Sequence, residues 1–122
     1  MYQIDIMSKV PVYEQIILQT ERFILMGIMK PGDKMMSVRN LSIELSVNPN
    51  TIQKAIAELD RRGIINSVPG KGSFISENAA EILFNKGMDA LEKLRDEVKN
   101  LRLSGVLKER IIKLVDEVYK DD

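Results

Sequence analysis

Two short amphipathic patterns separated by only three residues, Ser46, Val47 and Asn48, constrain the fold of this chain more than any other feature. The first follows Ser37, a good N-cap, and places Val38, Leu41 and Leu45 on one side of a helix. The second opens on Asn48 as N-cap with Pro49 at the first helical position, where an absent N–H has no partner to lose. Its apolar residues Ile52, Ala55, Ile56 and Leu59 recur in steps of three and four and face inward with Val47. Gly63, after Arg61 and Arg62, supplies the C-terminal stop. Two short helices joined by so tight a turn make a helix-turn-helix candidate.

The flanking sequence completes a recognisable order. Pro11 opens an earlier helix with Tyr13, Ile16, Ile17, Thr20, Phe23 and Ile24 on one stripe, ended by Gly27, Pro31 and Gly32, and residues 29–36 read as a loop. Downstream, residues 64–68 and 73–76 are short and β-prone around the tip Pro69-Gly70-Lys71-Gly72, the pattern of a β-hairpin. Three helices followed by a hairpin is the winged helix-turn-helix order, in which the helix after the tight turn enters the major groove of DNA and the hairpin reaches the backbone or minor groove. From 78 to 103 the pattern becomes one long helix with a heptad seam of Ala80, Phe84, Gly87, Leu91, Leu94, Val98 and Leu101. Ser104 and Gly105 break it, and a last helix to about Tyr119 carries Leu107, Ile111, Leu114, Val115 and Val118 on one face. The expected fold is mainly α with a small β-hairpin: a winged helix-turn-helix domain over 1–76 and a two-helix dimerisation tail over 77–122.

Composition narrows the function classes. The chain has 122 residues and no Cys, His or Trp, which removes disulfides, thiolate nucleophiles, the commonest general base and the usual transition-metal ligands. Scattered carboxylates and lysines with no pocket-sized domain do not make an enzyme, and no cofactor or metal is expected. Gly70-Lys71-Gly72-Ser73 lacks the spacing of a phosphate-binding loop. The longest uncharged run, 45–53, is far short of the ~20 apolar residues of a membrane span, and residues 1–10 lack the layout of an export signal; a cytoplasmic protein is expected. The net charge is zero, which argues mildly against a nucleic-acid partner, but the halves differ. Residues 1–76 hold nine basic and seven acidic side chains, and 77–122 hold nine and eleven.

The candidate reading surface follows from the start of the third helix. Asn48, Asn50, Thr51, Gln53 and Lys54 occupy its first turns. Asn and Gln can bond adenine edges in a bidentate manner, Thr can bond a base edge or pack on a thymine methyl, and Lys54 with the helix N-terminus would hold phosphates. Capping alone accounts for Asn48, whereas Asn50, Thr51 and Gln53 together on one exposed helix start favour DNA. Lys71, between Gly70 and Gly72, puts a cation on a tip without bulky neighbours, suited to phosphates or a narrow minor groove.

Pro11-Val12-Tyr13-Glu14-Gln15-Ile16, Lys30-Pro31-Gly32-Asp33-Lys34, Ser37-Val38-Arg39, Val47-Asn48-Pro49-Asn50-Thr51, Glu58-Leu59, Gly63-Ile64-Ile65 and Gly70-Lys71-Gly72-Ser73-Phe74 resemble the N-terminal domain of GntR-type transcription regulators of bacteria. The resemblance covers about residues 10–75, and the two-helix tail is most similar to the YtrA-type subfamily. It implies a DNA contact from Arg39, which spacing alone does not show, and Ser37 beside it joins the DNA-binding set. It also implies contacts from the start of the third helix and from the wing glycines Gly70 and Gly72. The sequence departs from the family at Met36, where proline is usual, and at Ser46, where a turn glycine is usual; a Cβ at Ser46 must suit the backbone there. Pro49, Gln53 and Lys54 replace arginines of many members.

The resemblance points to a repressor that blocks transcription from an operator, often at transporter operons. One such domain contacts few base pairs, and two related by a two-fold axis read an inverted repeat of double-stranded DNA. A homodimer through Phe84, Leu91, Leu94, Val98 and Leu101 is therefore expected, with the seam packing on the last helix as well. Any small-molecule effector, of unassigned chemistry, would bind within the dimer or near residues 76–80. The alternative is a winged-helix module for protein interaction or scaffolding, supported by the balanced charge and the uncharged run 45–53. It predicts binding that is indifferent to salt and to duplex sequence.

Overall fold

The computed structural model describes residues 1–121. Five helices and one antiparallel hairpin follow in the expected order: α1 (Val12–Leu25), α2 (Val38–Leu45), α3 (Pro49–Arg61), β1 (Ile65–Val68), β2 (Gly72–Ile75), α4 (Ala79–Leu103) and α5 (Lys108–Lys120). The mainly α winged helix-turn-helix expected from the sequence is borne out. The chain forms two compact units, Met1–Phe84 and Asn85–Asp122.

In the first unit the 3-and-4 stripes do what their spacing dictates. Ile16, Ile17 and Ile24 of α1 and Ile52, Ala55, Ile56 and Leu59 of α3 are buried in one core with Leu41, Ile64, Ile65 and Ile75. Helix α1 packs on α3, and α2 adds a single buried residue, Leu41, to the layer. The core is closed at its far side by a segment whose role the periodicity of α1 did not show. Gln15 is buried, and its side-chain amide accepts from Asp5 N–H at 2.9 Å and donates to the carbonyls of Asp5 and Val10, each at 2.8 Å. Gln19 does the same for Gln3, and Tyr2 Oη lies 2.6 Å from Thr20 Oγ1. These amides satisfy backbone groups of an N-terminal arm that has no strand to pair with.

The tight turn is held by backbone geometry. Ser37 Oγ accepts from Asn40 N–H at 3.1 Å and Asn48 Oδ1 from Asn50 N–H at 2.8 Å, so both expected N-caps form. Between the helices Ser46 adopts φ 54° and ψ 44°, and it is the only non-glycine with positive φ among the described residues. Ser42 Oγ–H donates to Val47 O at 2.6 Å and fixes the turn from one side. A left-handed residue with a Cβ costs about 1–2 kcal/mol, partly offset because glycine loses more entropy on folding. Ser46→Gly is therefore expected to stabilise the first unit by about 0.5–1 kcal/mol, read as a rise of a few degrees in melting temperature. A lower melting temperature would show that the hydroxyl or Cβ of Ser46 matters more than the strain.

One sequence expectation for the first unit needs correction. Residues 29–36 were expected as a loop, but residues 32–35 run along the outer edge of β2. Gly32 N–H donates to Ile75 O, Ile75 N–H to Asp33 O and Met35 N–H to Ser73 O, each at 2.8 Å, and Lys34 forms a bridge with Phe74. An edge strand leaves unpaired backbone groups, and this segment meets them while Met35, 5% exposed, fills the core. On α4, Ala80, where the expected pairing seam begins, is exposed, while Ala79 and Leu83 are buried and Ile82 half-buried. The first turns of α4 therefore also serve the core of the first unit, which runs to Phe84.

In the second unit the expected packing of seam on last helix is not found. No residue of α5 is buried, and Leu107, Leu114, Val115 and Val118 remain exposed, as do Leu91 and Leu94. Among its described residues only Val98 and Ile111 are half-buried. No described helix is long and apolar enough to cross a membrane.

Candidate nucleic-acid interface

Helix α3 separates its chemistry by face and by end. The inward stripe Ile52, Ala55, Ile56 and Leu59 leaves Asn50, Gln53 and Lys54 exposed and Thr51 half-buried. Asn48 uses its Oδ1 as a cap, which leaves its amide N–H groups as donors. No acidic residue lies in the first turn of α3 or of α2. The partial positive charge of both helix starts is thus uncompensated, as an anion site requires.

At the other end of α3 the cations are already paired. Arg61 donates to both carboxylate oxygens of Glu58, and Arg62 Nε donates to Glu58 Oε1 at 3.0 Å. These hydrogen bonds, Arg61 first, hold the Glu58 carboxyl down to about 2. Arg62 also reaches Glu21 at 3.4 Å. The cations that no carboxylate engages lie elsewhere in the first unit.

Two of these are Arg39 and Lys71. Arg39, in the first turn of α2, is exposed and has no ion-pair or hydrogen-bond partner among the described residues. Ser37 beside it is exposed with its hydroxyl engaged in the cap. Lys71 stands exposed at the wing tip, where its N–H donates to Val68 O at 3.0 Å, flanked by Gly70 at φ 77° and Gly72 at φ 120°. Lys54 differs from the rest. Its ammonium lies 3.9 Å from the centre of the Tyr13 ring, a cation–π contact that draws it back toward α1. Nothing in the spacing of Tyr13 and Lys54 announces that contact, because it depends on how α1 crosses α3.

The expected pairing residues lie on α4. Phe84 is 63% exposed and closes the first unit, and Leu91 and Leu94, 55% and 50% exposed, stand with half-buried Val98 and exposed Leu101 in the second. Among the described residues no group of carboxylates could hold a metal ion.

Comparison with known proteins agrees with this architecture. Residues 12–75 match the family described as bacterial regulatory proteins, gntR family. The HTH-type transcriptional repressor YtrA of Bacillus subtilis is 43% identical over 122 residues, 99% of this chain and 94% of its own length. A solved GntR family transcriptional regulator from Listeria monocytogenes superposes with a TM-score of 0.70 at 36% identity, covering 90% of this chain and 96% of that one. AraR(DBD), solved in complex with operator ORE1, superposes with a TM-score of 0.53 at 29% identity over 62% of this chain and 95% of its own. These relatives are regulators, not enzymes. An uncompensated pair of helix starts, a partner-free arginine beside them and a lysine-tipped wing are thus set on a shared scaffold, and the chain belongs to the gntR family of bacterial regulatory proteins, as a transcriptional regulator with a DNA-binding helix-turn-helix.

Proposed function

We propose that this chain is a homodimeric, cytoplasmic repressor that occupies an inverted-repeat operator in double-stranded DNA. Helix α3 enters the major groove with Asn50, Thr51 and Gln53 at base edges and Asn48 near the backbone. Ser37, Arg39 and Lys54 flank it, and Gly70, Lys71 and Gly72 bring the wing to the backbone or minor groove. The observation that carries this reading is the division of charge: the C-terminal arginines of α3 are paired with Glu58, while Lys54 in its early turns, Arg39 in α2 and Lys71 on the wing have no carboxylate partner. That AraR(DBD) is solved with an operator supports the same use of the fold. The two domains of this proposal are a DNA-binding part over 1–76, whose core borrows the start of α4, and a pairing tail beyond it. The likeness to the YtrA type extends the proposal to a transporter operon as target.

The test is selection of bound duplexes from a random pool, with the winners measured again across a salt series. Enrichment of an inverted repeat with steep salt dependence is expected. Binding that ignores both salt and sequence would show a protein-interaction module instead. With the selected operator, Arg39→Ala is expected to weaken binding about tenfold or more, from the ~1–3 kcal/mol of a specific charged contact. Its dimer should stay intact. Unchanged affinity would remove Arg39 from the interface.

A further inference from the structure

The wing has an outer face that its sequence does not define alone. Side chains alternate across a strand, and the cross-strand pair Ile65 and Ile75 is buried, so Asn66, Val68, Gly72 and Phe74 lie on the opposite face. Residues 32–35 extend that alternation along the edge of β2. Met35 is buried, Lys34 is exposed, and Lys34 stands opposite Phe74. Lys34 therefore projects from the outer face, diagonal to Gly72, on backbone fixed by the hydrogen bonds of its neighbours Asp33 and Met35.

Its side chain crosses the glycine. A Cβ built on Gly72 would lie 2.9 Å from Lys34 Cε and 3.7 Å from Lys34 Nζ, so the seat of this lysine exists because residue 72 has no side chain. The φ of 120° at Gly72 independently excludes an ordinary residue. The Lys34 ammonium has no hydrogen-bond or ion-pair partner among the described residues. A charge from a separate segment is thus laid over the stem of the wing, next to the Lys71 tip.

We propose that Lys34 is a second phosphate-binding cation of the wing, which acts with Lys71 on the backbone of bound DNA. The proposal rests on the DNA-binding reading above and adds a residue to it. A lysine ammonium is a point charge that neutralises phosphate and carries no base information. Lys34 should therefore set affinity and salt dependence alike for every duplex, and leave sequence preference to α3.

The experiment uses the full chain with the selected operator and an unrelated duplex, each titrated across a salt series. Lys34→Met keeps the aliphatic stem over Gly72 and removes the charge; Lys34→Arg keeps the charge. For Lys34→Met the slope of log K against log salt is expected to become shallower by about 0.9 per bound wing, equally on both duplexes, with an unchanged melting temperature. Lys34→Arg should retain the wild-type slope. A wild-type slope in Lys34→Met overturns the proposal. So does a slope lost in both variants, because then the stem and not the charge matters. A wild-type chain without salt dependence overturns the DNA-binding reading itself, and the two failures are thereby distinct.

Discussion

Replacing Leu91 and Leu94 together by glutamate is expected to convert the protein to a monomer and to cut operator affinity by about two to three orders of magnitude. Both leucines are at least half exposed in the second unit, on a helix whose neighbour α5 buries none of its own residues. Leu91, Leu94, Leu101, Leu114, Val115 and Val118 leave apolar surface in water that burial would reward at about 25 cal/mol per Å². A second copy presents the same surface, and a two-fold contact covers both at once. Pairing makes the second half-site contact intramolecular, and gains of about 10²–10⁴ in overall affinity follow from such linkage without any new contact. Charges at both positions make pairing bury four carboxylates, which is prohibitive. Sedimentation gives the mass, and titration of the selected operator gives the affinity. The winged unit should melt as before, since neither residue lies in Met1–Phe84. A variant that sediments as a monomer yet binds the operator at full strength would falsify the link between tail and DNA.

What the sequence made legible is what has a short period or a fixed position. The 3-and-4 stripes gave the inner faces of α1 and α3, the Asn48-Pro49 start and the Gly63 stop bounded α3 within a residue, and the Gly70-Lys71-Gly72 tip located the hairpin. The features that periodicity missed all depend on a partner distant in the chain. The edge formed by residues 32–35 exists because β2 has backbone groups to satisfy, and a proline-glycine-rich stretch gives no sign of that. Gln15 is polar by composition and buried by use, because the arm it clamps arrives from residues 5 and 10. Ala79 and Ala80 differ by one position, and a heptad pattern assigns the seam without telling which residue the core of the first unit takes. The site follows the same rule: the residues at the start of α3 could be named from order alone, whereas the placement of Lys54 on Tyr13 required the crossing of two helices.

The crossing of α1 on α3 also locates the largest stability effect in the winged unit. Leu59→Ala is expected to destabilise it by about 3 kcal/mol, within the ~2–5 kcal/mol typical of a buried leucine, and to lower its melting temperature by roughly 12–24 °C. Leu59 is fully buried in the last turns of α3, in the cluster that joins Ile16 and Ile17 of α1 to Ile64 and Ile65 at the root of the wing. Its removal therefore loosens three elements at once: the support of the reading helix, the strand that begins the hairpin, and α1. The reading residues Asn50, Thr51 and Gln53 lie two turns away and lose no contact of their own. Well below the new melting transition, operator affinity should stay within a few-fold of wild type, because the folded fraction still presents the same surface. Arg39→Ala is expected to do the reverse, with a preserved melting temperature and a weakened complex. Denaturant titration and operator binding measured on the same two variants separate the residues that build the platform from those that use it. If Leu59→Ala costs less than about 1 kcal/mol, the core has collapsed into the space, and the platform is softer than its complete burial implies.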